Sequence, residues 1–154
     1  NSIRGVPLPK DLDGMTGPQL YDANCASCHQ ARGQGSPDGG LPALFHNTAL
    51  GRTNTNNLVM VLLDGIARNP DAPDVLMPGF RAQLSDIQIA TLGTYLTQRY
   101  GNPGAHVTVD QVKTLRAGGE PSHLIWYARA GLILAGLLIA GLFVFCARRR
   151  RKMA

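Results

Sequence analysis

The chain has 154 residues, 18 of them Gly and 10 Pro, about 18 % together against about 12 % in average proteins. That length suits one small domain with an appendage, an aromatic fraction of 6 % leaves little material for a core, and three cysteines are too few for a disulfide framework. The net charge of +5 would suit a nucleic-acid partner only if it lay on one face, and it does not. Residues 1–122 carry nine Lys and Arg beside all ten acids, a net charge of −1, and the other six basic groups are Arg129 and Arg148 to Lys152. The basicity belongs to the C-terminal tail, and a nucleic-acid-binding face has no support.

Residues 1–13 read as an N-terminal extension. With neither an initiator Met nor a signal peptide, an exported chain beginning at Asn1 is expected to be already processed. Thr16–Gly17–Pro18–Gln19 is a capping-box start with an early Pro, and the helix it opens runs into Cys25–Ala26–Ser27–Cys28–His29. C-x-x-C-H on a helical turn lets two thiols bond the two vinyl groups of one haem while the adjacent imidazole ligates iron. A thioredoxin-type redox pair would want a βαβ setting, which the Gly- and Pro-rich flanks do not offer. A structural zinc site would want four ligands, and there is no second C-x-x-C. The pattern therefore points to one covalently bound haem c.

Asn56 and Asn57 can cap a helix over residues 58–67, with Leu58, Val61, Leu62 and Ile66 as its apolar face. Downstream, Met77 stands in the loop Leu76–Met77–Pro78–Gly79–Phe80, away from any helical packing stripe, and is the candidate sixth ligand. Its competitors fare worse. Met60 falls in an apolar helical run, Met15 lies too close to the first helix, His123 abuts the tail, and His46 and His106 read as surface groups or pocket neighbours. A thioether opposite an imidazole stabilises ferrous iron and fills both axial positions, which favours electron transfer over catalysis. Arg52, Asn54 and Arg81 are candidate neighbours of the haem propionates.

Ser85–Asp86–Ile87–Gln88 is a second capping box, opening a helix over residues 86–100 with Ile89, Leu92, Leu96 and Tyr95 on its stripe. A shorter outer helix is expected over residues 108–116, and no strand pattern competes. Residues 130–147 then run without a charge, and with Leu124 to Tyr127 they are long enough to span a bilayer. Trp126 and Tyr127 suit an interfacial belt and Arg129 can snorkel outward. The run Arg148 to Lys152 predicts a cytoplasmic C-terminus, with the rest of the chain on the other side. Gly136 and Ala140 share one face of the span, compatible with close helix approach or with ordinary membrane-helix composition, and Cys146 at its end reads as a bystander thiol.

Residues 14–116 resemble a class I cytochrome c domain. Gly17, Tyr21 and Cys25 match the first helix of that family, Leu92 and Tyr95 its last helix, and Met77–Pro78 its axial-methionine loop. Pro42, in Leu41–Pro42–Ala43–Leu44, matches the loop proline whose carbonyl, in the family, accepts from the ligand imidazole. A narrower resemblance rests on Met77 to Phe80, on Leu84–Ser85–Asp86 with Gln88, and on Asn102 followed by Val107, Thr108, Gln111, Val112, Leu115 and Arg116. It points to the last haem domain of cytochrome subunits of membrane-bound periplasmic alcohol, aldehyde and sugar dehydrogenases. This chain departs from those multihaem subunits in its single C-x-x-C-H and its membrane span. It is thus a one-haem relative or the C-terminal portion of a longer subunit.

The resemblance implies an all-α fold around one covalent haem, with one C-terminal transmembrane helix. The expected layout is an extension at 1–13, a cytochrome c domain at 14–103, an outer helix and linker at 104–122, a transmembrane helix at 123–147 and a basic cytoplasmic tail at 148–154. Cys25, Cys28, His29, Pro42 and Met77 would hold the haem, His29 and Met77 as metal ligands. The implied role is single-electron transfer at the periplasmic face of a bacterial inner membrane. The electron would come from a dehydrogenase subunit and pass to quinone or the respiratory chain. The alternative is a tethered donor to a terminal oxidase.

Overall fold

The computed structural model describes residues 7, 9–67, 76–120 and 123–153, in two units, 1–119 and 120–154. Most of the N-terminal extension, residues 121–122 of the linker, and the side chains of Cys146, Arg149, Arg150 and Lys152 lie outside the described residues.

The first unit is helical. Helix α1 (Gly17–Asn24) starts at the expected box, where Gln19 Oε1 accepts from the Thr16 N–H at 2.9 Å. The helix does not run unbroken into the haem motif. Cys25 interrupts it, and α2 (Ala26–His29) is a separate turn that ends at Gln30 with φ 64°. The Tyr21 hydroxyl donates to the Gln30 carbonyl at 2.6 Å and holds that turn against α1. A single turn, α3 (Thr48–Gly51), capped by the Asn47 side chain, was not foreseen.

Helix α4 (Asn56–Asp64) begins two residues earlier and stops three earlier than its sequence pattern suggests. Its N-cap is Thr55, and Asn54 Oδ1 accepts from the Asn56 N–H, so the capping asparagine is Asn54. The early stop has a physical cause. Gly65 takes φ 76°, and a Cβ there would lie 2.7 Å from Gly79 N, so the next residues leave the helix. They form β1 (Ile66–Ala67), antiparallel to β2 (Leu76–Met77), with Ile66 opposite Met77. This two-residue ladder is the only strand pairing among the described residues.

Helix α5 (Asp86–Tyr100) opens with Ser85 and Gln88 capping each other and crosses α1 closely at Gly17, where an added Cβ would lie 2.7 Å from Tyr95 Cγ. The core lies between α1, α4, α5 and α6 (Val109–Arg116), with Leu20, Val59, Ile89, Leu92 and Val112 fully enclosed. Each such side chain contributes about 1.5–3 kcal/mol. Tyr21, Tyr95 and Tyr100 pack ring against ring, and Phe45 meets Tyr100 edge-on at 5.2 Å.

The second unit is one helix, α7 (His123–Met153), whose stretch His123–Leu142 has a mean hydropathy of 1.8. At about 1.5 Å per residue those 20 positions cover about 30 Å, the thickness of a bilayer's hydrocarbon core. Leu132, Ile133, Leu137, Leu138 and Ile139 are all exposed, as a lipid-facing surface requires.

Candidate functional site

A cavity of about 390 Å³ opens between the C-x-x-C-H turn, the Pro42 loop, α3, α4 and the β2 strand. That is within the range of about 300–1,000 Å³ typical of cofactor sites. Its walls are mostly aliphatic. Leu58, Val61, Leu62 and Ile66, the apolar stripe read from the sequence, all line it, and so do Leu44, Leu50, Leu96 and Phe80. The apolar stripe is one wall of the cavity, and its Leu58 and Leu62 are buried in the core as well. Val59 and Leu63, beside that stripe on α4, are buried in the core without lining the cavity, and the apolar periodicity does not include them.

The expected site residues all reach this cavity. Cys25, Cys28 and His29 reach it from the haem-motif turn, Pro42 from the loop that follows and Met77 from β2. His29 Nδ1 lies 2.9 Å from the Pro42 carbonyl oxygen. A carbonyl oxygen only accepts, so Nδ1 carries the proton and Nε2 keeps the lone pair a metal needs. The loop that brings Pro42 back is held by the Gly35 N–H on the His29 carbonyl (3.1 Å), the Ser36 N–H on Leu41 (3.0 Å) and the Leu44 N–H on Gly33 (2.8 Å). Gly35, at φ 71°, is the residue on which this return turns: a Cβ there would meet Pro42 C at 2.8 Å. Sequence inspection had no means of singling it out.

Met77 is partly buried against the core and sits in the β2 strand rather than an irregular loop. Just beyond it, the Phe80 and Arg81 N–H groups donate to the Leu62 and Leu63 carbonyls at 2.9 and 3.0 Å. These bonds fasten the chain to carbonyls of the last turn of α4, which a free helix end would leave unpaired. Gly79 makes the approach possible, since a Cβ there would lie 2.6 Å from Asp64 C.

Other candidates lie elsewhere. Met15 and Met60 pack against the core, His46 and His106 are exposed, and none of the four lines the cavity. Arg52, Asn54 and Arg81 do not line it either. Arg52 is exposed, Asn54 is used as a cap, and Arg81 pairs with Asp64 at 2.7 Å. Asn24, Asn47 and Asn57 are the polar side chains that do reach the lining, besides the hydroxyls of Ser27 and Thr48.

Cys25 is buried and Cys28 exposed. Burial, and secondarily the charge of Cys28, pushes the Cys25 thiol up to about 12, so it is a protonated and weak nucleophile at neutral pH. Among the described residues no group of three or more His, Cys, Asp or Glu is placed to hold a metal ion by itself. Two thiols three residues apart, an imidazole with Nε2 available, a thioether from a separate strand and an aliphatic lining fit a covalently attached haem.

The family described as Cytochrome c matches residues 15–99, from the first helix through α5. The chain belongs to the cytochrome c family. Membership brings with it covalently bound haem c and electron transport as the family's chemistry. Among curated proteins, the fructose dehydrogenase cytochrome subunit of Gluconobacter japonicus is 39 % identical, over 96 % of this chain and 32 % of its own length. The cytochrome c subunit of the quinone-linked alcohol dehydrogenase of Gluconobacter oxydans (strain 621H) is 33 % identical, over 74 % of this chain and 24 % of its own length. The gluconate 2-dehydrogenase cytochrome c subunit of Pantoea cypripedii is 30 % identical, over 71 % and 26 % respectively. This cytochrome c chain thus spans between 24 % and 32 % of the length of these relatives. All three are named as cytochrome subunits of dehydrogenases.

Proposed function

We propose that this cytochrome carries single electrons as the membrane-anchored cytochrome subunit, or the C-terminal part of one, of a membrane-bound dehydrogenase. One haem c would be held by thioethers from Cys25 and Cys28, with His29 Nε2 and Met77 Sδ as axial ligands. When bound, the haem supplies reversible one-electron exchange between Fe(III) and Fe(II). The observation that carries this reading is the His29 Nδ1–Pro42 bond beside a cavity that Cys25, Cys28 and Met77 also line.

The chain's own residues perform four tasks. Pro42 orients the imidazole and raises its basicity through Nδ1–H. Met77 would supply a soft thioether to a bound haem, a ligand that favours the ferrous state. Leu58, Leu62, Leu50 and Leu96 exclude water from the cavity walls, lowering the local dielectric. Helix α7 tethers the domain to a bilayer. The basic residues from Arg148 onward support a cytoplasmic C-terminus and a periplasmic haem domain. Tethering keeps the domain at high effective concentration near a dehydrogenase partner and near quinone or the respiratory chain. The likeness to the fructose, alcohol and gluconate dehydrogenase cytochrome subunits supports that partner class.

The test is spectroscopic and compositional. The full chain, made in a host that attaches haem and purified in mild detergent, should carry one haem per chain. Its ferric form should be low-spin, with a thioether-to-iron absorption band that Met77→Ala abolishes. A high-spin ferric wild type would overturn the axial assignment, and reduction by no membrane-bound dehydrogenase would overturn the subunit role.

A further inference from the structure

The end of α6 carries a polar cluster that the function above does not use. Arg116, the last residue of α6, spreads its guanidinium over three acceptors of the segment that follows Met77. Nε donates to Asp86 Oδ1 at 2.6 Å, Nη2 to the Leu84 carbonyl at 3.0 Å, and Nη1 to the Arg81 carbonyl. Arg81 answers in the opposite direction. Its Nη1 donates to the Arg116 carbonyl at 2.8 Å, and its Nε and Nη2 reach Asp64 Oδ1 at the end of α4.

The two arginines therefore exchange side-chain-to-backbone bonds, each holding the carbonyl of the other. Arg116 and Asp86 are only a quarter exposed, so this pair is less screened than a surface ion pair. The segment it grips is short. The Gln83 and Leu84 N–H groups fold back on the Phe80 carbonyl, and Phe80 and Arg81 are themselves bonded to α4. Met77 is three residues upstream of Phe80. Its strand has Ile66 on one side, and its downstream end leads straight into the gripped turn.

We propose that Arg116 is a positioning residue for Met77, clamping the downstream end of the Met77 strand so that the thioether stays directed into the haem cavity. This rests on Met77 being the sixth ligand. The guanidinium fork is the reason for an arginine here. It serves a carboxylate and two carbonyls in one plane, which the single point of a lysine ammonium does not. The clamp ties α6, outside the family's matched residues 15–99, to the ligand strand inside them.

The experiment uses the full chain with haem attached, in detergent, in its ferric state. Imidazole is added in excess, and the rate of loss of the thioether–iron band is followed. Opening of the Met77 strand limits that rate. In Arg116→Ala the rate rises about tenfold or more, as loss of charge-assisted hydrogen bonds to the strand's anchor implies. Arg116→Lys falls between it and the wild type, and serves alone if the alanine variant yields no holoprotein. Gln111→Ala is the control, because it loosens the other end of α6 by removing bonds to Thr55 (2.9 Å) and Asn56 (2.6 Å) without touching the clamp. Its rate stays within about twofold of wild type. A wild-type rate in the Arg116 variants overturns the proposal, and so does an equal acceleration in Gln111→Ala. A wild type lacking the thioether band fails differently, because it removes the Met77 ligand itself and the clamp with it.

Discussion

Replacing Gly35 with Ala should raise the reduction potential of the haem. Gly35 holds φ 71°, and an added Cβ would lie 2.7 Å from Ala43 N and 2.8 Å from Pro42 C. Ordinary contact begins near 3.4 Å and the Leu41 carbonyl oxygen lies closer still, so the backbone from Leu41 to Ala43 must yield by at least about 0.7 Å. The His29 Nδ1–Pro42 bond is 2.9 Å long, and lengthening it by that amount carries it beyond the normal range of about 2.7–3.2 Å. The lost bond is the one that raises imidazole basicity and so favours ferric iron. A net hydrogen bond is worth about 1 kcal/mol, and 59 mV corresponds to about 1.4 kcal/mol for one electron, so the potential should rise by up to about 40 mV. The left-handed backbone costs alanine about 1–2 kcal/mol and the overpacking about 1–3 kcal/mol more, a loss that a domain of ordinary stability survives. A spectroelectrochemical titration of the detergent-solubilised holoprotein measures the potential, and urea unfolding measures the stability. A folded Gly35→Ala protein whose potential is unchanged or lower would refute the role given to the Pro42 carbonyl.

Two further outcomes follow from the packing. Gly17→Ala should destabilise the domain by about 1–3 kcal/mol in urea titrations, because Tyr95 Cβ and Cγ block the new methyl and the Cβ is fixed to the α5 backbone; a midpoint equal to wild type would contradict the close α1–α5 crossing. Burial pushes the Tyr100 hydroxyl up to about 12, above its value of about 10 in the unfolded chain. The unfolded state therefore loses this proton first, and the associated stability is complete below about pH 10 and is lost as pH rises toward 12. Tyr100→Phe should flatten the fall of urea midpoint between pH 10 and 12, and an unaltered slope would show that Tyr100 does not drive it.

Much of the site was legible as spacing. Cys25, Cys28 and His29 are a contiguous motif, Met77 stands out beside Pro78 and Gly79, and the two capping boxes mark where α1 and α5 begin. These features are local, and local chemistry is what a sequence displays. The stripe of Leu58, Val61, Leu62 and Ile66 was also visible, but periodicity says only that a face is apolar, not what covers it. The structure turns that face to the cavity, buries its Leu58 and Leu62 in the core as well, and adds Val59 and Leu63 to that core.

The early end of α4 and the Ile66–Met77 pairing depend on residues 14 positions apart in the chain at Gly65 and Gly79, so no window of neighbouring residues predicts them. The same holds for Gly35 beneath the Pro42 peptide and for Arg116 on the turn after Met77, both contacts between segments distant in sequence. Composition and motif alone determined a chain poor in aromatic core, a haem-attachment turn, a candidate thioether and an apolar tail with its basic end. Tertiary structure decided which imidazole nitrogen stays free, which side of α4 faces the cavity and what fastens the methionine strand. Each of those depends on groups from distant segments meeting across the fold, many of them backbone groups that nearly every residue carries alike, so a run of neighbouring residues does not display them.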